Sequence, residues 1–232
     1  MVLALPSKGR LQSDTLDWFA ARGVSITRSG AGRQYAATVD GAPGLGIALL
    51  SAGEIPAALE AGQVHLGVTG QDLVQERIAE WTRRVRLASR LGFGHADLVC
   101  AVPAWWVDVE TMADLDDAAE RFRVRNGHAL RIATKYHNLT RRFFRERGVA
   151  DYRLIDSQGA TEAAPKNHAA EALVDISSSG ETLKANHLRI LQDGLILKSQ
   201  ACLFISRGAP WSASARSAAE SLTAQLGIDV RP

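Results

Sequence analysis

Four short stretches of this sequence place hydroxyls, glycines and charges directly after apolar runs, where they can meet a ligand. The richest is Ser177-Ser178-Ser179-Gly180-Glu181-Thr182-Leu183, which follows Leu173-Val174-Asp175-Ile176. Several hydroxyls and a glycine ahead of a helix can wrap a phosphate with O–H and N–H donors. Asp175 stands about one ribose away, where a carboxylate can accept from vicinal hydroxyls. Taken alone, the same stretch is equally well a serine-rich loop with helix caps. It lacks the Lys-Ser/Thr ending of a P-loop, which disfavours that class of nucleotide binder.

The second stretch, Pro6-Ser7-Lys8-Gly9-Arg10-Leu11, sets two cations and a glycine at a helix start, where free N–H groups favour an anion. A solvated helix start with incidental basic residues is its plainer reading. In Val68-Thr69-Gly70-Gln71-Asp72, Gly70 lets backbone approach a ligand, and Thr69 and Asp72 either line a pocket or cap the next helix. Glu162, within Gly159-Ala160-Thr161-Glu162-Ala163-Ala164-Pro165, can serve a ribose, a Mg²⁺ shell or only the helix dipole. Leu91-Gly92-Phe93-Gly94-His95 reads as a glycine-rich hinge, with His95 either structural or touching ligand.

The elements that must position these loops alternate. Val2–Leu5 is a short strand, and Leu11, Leu16, Phe19 and Ala20 mark one face of a helix closed by Gly23. Tyr35–Val39 and Leu45–Leu50 flank Gly41-Ala42-Pro43-Gly44 and predict a hairpin. A short helix over Glu54–Ala61 and a buried strand over Val64–Val68 follow. Further on, Leu98–Val102, Leu130–Thr134, Tyr152–Ile155 and Leu173–Ile176 read as strands. Leu139, Phe143 and Val149 mark a helix after Leu130–Thr134, and another helical stretch is expected over Thr161–Ala172. Leu188–Leu191 and Ile196–Ser206 read as later strands and Ser212–Leu226 as a terminal helix. Such alternation predicts an α/β protein with mostly parallel sheets, in two lobes. The boundaries fall at 1–98 plus 188–232 for the first lobe and 99–187 for the second. Ligands then belong at the carboxyl ends of strands.

Bulk properties narrow the classes. Of 232 residues, 46% are apolar and 22% charged, which argues for a packed core rather than disorder. The net charge of +2 supplies no field demanding nucleic acid or an anionic membrane. No apolar run approaches the roughly 20 residues of a membrane helix. The N-terminal run is too short for a signal peptide, so the expected location is the cytoplasm. Cys100 and Cys202 sit in apolar segments and are expected to be reduced core residues; without nearby His they make a zinc site unpromising.

Together these loops resemble the ATP phosphoribosyltransferase family, in its short, catalytic-subunit form. The matching segments are Ala4–Leu11, Leu66–Leu73, Leu91–Gly94, Ile132–Tyr136, Gly159–Pro165, Val174-Asp175 through Ser179–Asn186, and Ile196–Ala201, in family order. The resemblance implies two α/β lobes like those of type II periplasmic binding proteins, with an active site in the cleft. It implies that Ser177, Ser178, Ser179, Gly180, Glu181, Thr182 and Leu183 hold the 5′-phosphate of phosphoribosyl pyrophosphate (PRPP), with Asp175 near its ribose. Lys8, Arg10 and Arg33 are then candidates for pyrophosphate and ATP phosphates, and Thr69, Gly70 and Asp72 for the opposite wall. Mg²⁺ is expected on the substrate phosphates, without direct protein ligands. Adenine N1 brings its own lone pair, so no strong base is required; Glu162 is the candidate for aiding charge or proton balance.

The same resemblance implies a homodimer within a hetero-oligomer that includes a regulatory subunit resembling histidyl-tRNA synthetase. Trp105, Trp106 and Trp211 are candidates for subunit contacts, with core packing as the alternative. There are two departures from the family pattern. Ser51-Ala52-Gly53-Glu54 stands where many relatives carry an Arg and an Asp, and Ser179-Gly180 stands where many have Thr-Gly. The rival readings are a solute-binding module and a cytoplasmic sensor domain, since the same architecture binds ligands without chemistry.

Overall fold

The structure is a computed structural model that describes residues 1–29, 36–157 and 159–232. It divides into two compact units, Met1–His95 with Gln200–Pro232, and Ala96–Ser199. The first unit runs through β1 (Val2–Pro6), α1 (Arg10–Ala20), β2 (Ser25–Ser29), β3 (Ala36–Asp40), β4 (Gly46–Leu50) and α2 (Ile55–Glu60). It continues with β5 (Leu66–Gly70), α3 (Gln71–Arg77), α4 (Trp81–Arg84) and β6 (Val85–Arg90). The second holds β7 (Ala96–Pro103), α5 (Met112–Asn126), β8 (Leu130–Thr134), α6 (His137–Glu146), β9 (Tyr152–Asp156), β10 (Ala172–Ser177), α7 (Glu181–Ala185) and β11 (Leu188–Ser199). The chain then returns to the first unit with β12 (Ala201–Ser206) and α8 (Ala213–Leu226).

The sheet of the first unit has the order β4-β1-β5-β12-β6. β1 runs parallel to β4 and β5, while β12 lies antiparallel to β5 and β6. Successive side chains leave opposite faces. Leu3, Leu5, Leu66, Val68, Leu203 and Ile205 therefore share one core with Phe19 of α1 and Leu222 of α8. Ala4, Cys202 and Phe204 share the other with Ile55, Leu59, Val74 and Ile78. Both faces are covered, so these strands read as unbroken apolar runs rather than alternating ones. Gly67 belongs to this packing: a Cβ there would lie 2.7 Å from Ile55 Cγ2, so α2 can approach β5 only over a glycine.

The sheet of the second unit has the order β11-β7-β10-β8-β9. β10, β8 and β9 are parallel neighbours, and β7 and β11 add an antiparallel half. The loops after β8 and β10 thus leave the same end of the sheet. α5 starts at a capping box in which the Thr111 hydroxyl accepts from Asp114 N–H while the Asp114 carboxylate accepts from Thr111 N–H at 2.8 Å. α5 stops at Gly127 in the left-handed region.

Four details differ from the sequence expectations. β3 pairs with β2, not with β4, which instead lies parallel to β1, so the expected hairpin around Gly41–Gly44 does not form. The helix expected over 161–172 is only a single 3-10 turn at Thr161–Ala163, with Ala172 already in β10, because Pro165 has no N–H and His168 sits at a φ of 55°. The runs at 188–191 and 196–199 are one strand, irregular in register and paired along β7. That pairing also moves the return crossing from 187 to 199, so residues 188–199 belong with the second unit.

Among the described residues no helix is long and apolar enough to cross a membrane. Cys100 and Cys202 are buried free thiols, and burial pushes each up to about 12.

Candidate active site

Asp175 and the hydroxyl loop that follows it close around one cavity in the second unit. It measures about 130 Å³ and is lined by Glu162, Asp175, Ile176, Ser177, Ser178, Ser179, Thr182 and Leu183. Its shape comes from the turn between β10 and α7. Gly180 adopts a φ of +76°, open to a glycine and costly for a residue with a Cβ. Ser177 Oγ accepts from Gly180 N–H at 3.0 Å and Ser179 Oγ from Glu181 N–H at 3.4 Å. These two bonds fold the chain back so that neighbouring hydroxyls face one volume. Leu183 is buried in the apolar cluster beneath and anchors the turn.

Asp175 is held from two sides. Its Oδ1 accepts from Ile176 N–H at 2.8 Å and pairs with Lys135 Nζ at 3.2 Å. Lys135 follows β8 directly. Because Leu173 is in register with Ala133, two residues further on Asp175 and Lys135 leave the same face of adjacent parallel strands. The site residues expected from the sequence did not include Lys135. Its signal was its place one residue beyond a strand end, beside the strand that carries Asp175. Glu162 reaches the cavity from the 3-10 turn.

The remaining candidates lie in the first unit. Lys8 and Arg10 are exposed, with Gly9 at a φ of 76° as the N-cap of α1. Arg33 lies outside the described residues. Thr69 is fully buried and its hydroxyl donates to the Ala52 carbonyl at 2.7 Å. Gly70 is the N-cap of α3, and a Cβ there would collide with the Asp72 carboxylate. Asp72 is itself buried in the first turn of that helix, where a carboxylate complements the helix dipole. Glu54 accepts from Ser51 N–H at 2.8 Å, and the bonds from Ser51 lower its carboxyl below the usual range. The Arg77 guanidinium lies beside the same loop, 3.7 Å from where a Cβ on Gly53 would stand.

Of the other sequence candidates, Trp105 is exposed, while Trp211 and the glycine-rich loop have structural partners. Trp211 donates to the Ser206 carbonyl at 3.0 Å and meets the edge of His65 at 4.8 Å, so it packs rather than projects. The loop at Leu91–Gly94 is strapped to the returning chain by Leu91 N–H to Ala201 O and Gly92 N–H to Gln200 Oε1, both at 3.0 Å. His95 is exposed.

A model of the ATP phosphoribosyltransferase family matches residues 51–227. An ATP phosphoribosyltransferase of Cereibacter sphaeroides is 58% identical over 97% of this chain and 95% of its own length. The chain belongs to the ATP phosphoribosyltransferase family. Its reaction is the transfer of a phosphoribosyl group from PRPP to N1 of ATP with release of pyrophosphate, the first step of histidine biosynthesis. An ATP phosphoribosyltransferase of Bradyrhizobium diazoefficiens is 50% identical over 99% of this chain, which spans 71% of that relative.

Among solved structures, a Thermotoga maritima ATP phosphoribosyltransferase (HisG:HisZ) complex matches with a TM-score of 0.72 at 22% identity, covering 98% of this chain and 96% of that one. An arginine-bound, truncated arginine-binding protein of the same organism gives 0.53 at 13% identity, over 98% and 94%. At those identities the likeness is one of fold. Shared architecture alone would leave a solute-binding module standing; membership of the ATP phosphoribosyltransferase family removes it.

Proposed function

We propose that the cavity beside Asp175 is where this ATP phosphoribosyltransferase holds PRPP. The 5′-phosphate takes hydroxyl and amide donors of Ser177–Leu183, and the Asp175 carboxylate accepts from the ribose hydroxyls. What supports this is one observation: Asp175 and the hydroxyl-bearing residues Ser177, Ser178, Ser179 and Thr182 line a single cavity. Lys8, Arg10 and Arg33 take the pyrophosphate and the ATP phosphates, and Gly70 leaves room for backbone contact with nucleotide. Adenine N1 attacks C1 of the ribose, the bond from C1 to the pyrophosphate oxygen breaks, and the configuration inverts. Positive charge grows on the sugar as pyrophosphate leaves, so positioning and charge stabilisation carry the rate.

Mg²⁺ carried on the substrate phosphates would supply charge neutralisation of the leaving pyrophosphate. Glu162, the lining carboxylate beside Asp175, is the hard oxygen donor suited to face such a phosphate-bound ion through water. Glu162 aids charge and proton balance, as the acceptor for the proton that the exocyclic amine loses once adenine N1 takes up its new bond. The enzyme is read as cytoplasmic and as working in a hetero-oligomer with a regulatory subunit resembling histidyl-tRNA synthetase. The name of the Thermotoga complex is what supports that partner.

The test is Asp175→Ala, assayed with PRPP, ATP and Mg²⁺, with and without the regulatory subunit. PRPP affinity should fall about tenfold to a hundredfold, with ATP affinity nearly unchanged. Equal losses for both substrates, or none, would remove Asp175 from the ribose.

A further inference from the structure

The PRPP cavity has a charge problem that its own lining does not solve. Two carboxylates, Glu162 and Asp175, line it, and none of the lining residues is Lys, Arg or His. PRPP is a polyanion, so a pocket of this make-up repels it unless a cation stands close behind. Among the described residues, the only ion pair made by a lining residue is that between Asp175 Oδ1 and Lys135 Nζ, at 3.2 Å. The Lys135 side chain is 35% exposed and that of Asp175 is 13% exposed, so the pair sits where screening is incomplete.

We propose that Lys135 is a positioning residue for PRPP, acting through Asp175. Together with Ile176 N–H it occupies Oδ1 and fixes the carboxylate's orientation, which leaves Oδ2 for the ribose hydroxyls. Its charge also offsets one of the two carboxylates, so that the phosphates enter a cavity closer to neutral. The inference rests on the placement of PRPP beside Asp175. It adds that recognition of this sugar phosphate depends on a cation from the neighbouring strand, outside the hydroxyl loop.

Lys135→Met keeps most of the side-chain stem and removes the charge. Calorimetric titration with PRPP and Mg²⁺ should show affinity reduced by about tenfold to a hundredfold, with the KM for ATP unchanged. The melting temperature should barely move, because a partly exposed ion pair contributes little to stability. Lys135→Arg should recover most of the affinity. Adding Glu162→Gln to Lys135→Met should recover part of it, because the pocket again loses a negative charge; a role confined to packing would give no such recovery. Unchanged PRPP affinity in Lys135→Met, or equal losses for PRPP and ATP, would overturn the proposal. Asp175→Ala serves as the reference: if it loses PRPP and Lys135→Met does not, only the role of Lys135 fails. If neither loses PRPP, the placement of the substrate fails as well.

Discussion

The Thr69 hydroxyl donates to the Ala52 carbonyl at 2.7 Å, tying the end of β5 to the loop that leads into α2. This bond holds Ser51–Glu54 beside the start of α3, joining a loop with candidate ligand contacts to the one that departs from the family pattern. Thr69→Val keeps the volume but leaves a carbonyl without its donor. It should cost about 1–2 kcal/mol in urea unfolding, while Thr69→Ser stays near wild type. If Val and Ser behave alike, the hydroxyl is not what fixes the loop.

Gly180 provides a second test, through the backbone alone. Its φ of +76° disfavours residues with a Cβ, although nothing lies within 4 Å of where a Cβ would stand. Gly180→Ala should therefore weaken PRPP binding about tenfold by unbending the turn, with Gly180→Asn milder because Asn tolerates the left-handed region. Wild-type PRPP affinity in both variants would separate the turn from phosphate binding.

Lys8 is exposed at the start of α1, and its proposed contact is with a polyanion. Lys8→Ala should raise the KM for ATP about tenfold at low ionic strength, and the gap should shrink as salt rises toward molar concentrations. A salt-independent loss would instead indicate packing.

His65 predicts a pH dependence of stability. It is buried, its Nδ1 accepts from Val2 N–H at 3.2 Å, and its Nε2 faces the Pro210 carbonyl at 3.3 Å. Burial lowers its pKa below the ordinary 6.5, despite the opposing pull of the Pro210 carbonyl. The folded value is the depressed one, so the unfolded chain binds the extra proton. The contribution is fully present above about pH 6.5 and is lost as pH falls through the folded value. The urea midpoint should drop more between pH 7 and pH 5 for wild type than for His65→Gln. Parallel profiles would show that other groups set the pH response.

Much of this was legible in the sequence for a physical reason. β5, β12 and the first half of β10 (Ala172–Val174) are buried, and such strands appear as apolar runs without any alternation to decipher. The loops after them show as sudden clusters of Ser, Gly and charge, which is how Asp175 and Ser177–Leu183 could be singled out. Pairing was less legible. Ser25–Ser29 carries a single large apolar residue, Ile26, so the real partner of β3 left little trace and the nearer apolar run at 45–50 looked like the better match. The Lys135–Asp175 ion pair joins positions forty residues apart, a distance over which local spacing carries no signal. Residues 161–172 contain good helix formers, but Pro165 and the left-handed His168 override them.

The position of β12 has a consequence for biosynthesis. It enters between β5 and β6 although it is made more than a hundred residues after either, so the nascent chain carries two open sheet edges until Ala201–Ser206 has left the ribosome. Every strand of Ala96–Ser199 has emerged before then. The inserted unit can therefore fold first, while the strands made earlier wait, exposed to aggregation or chaperones, for the strand that joins them.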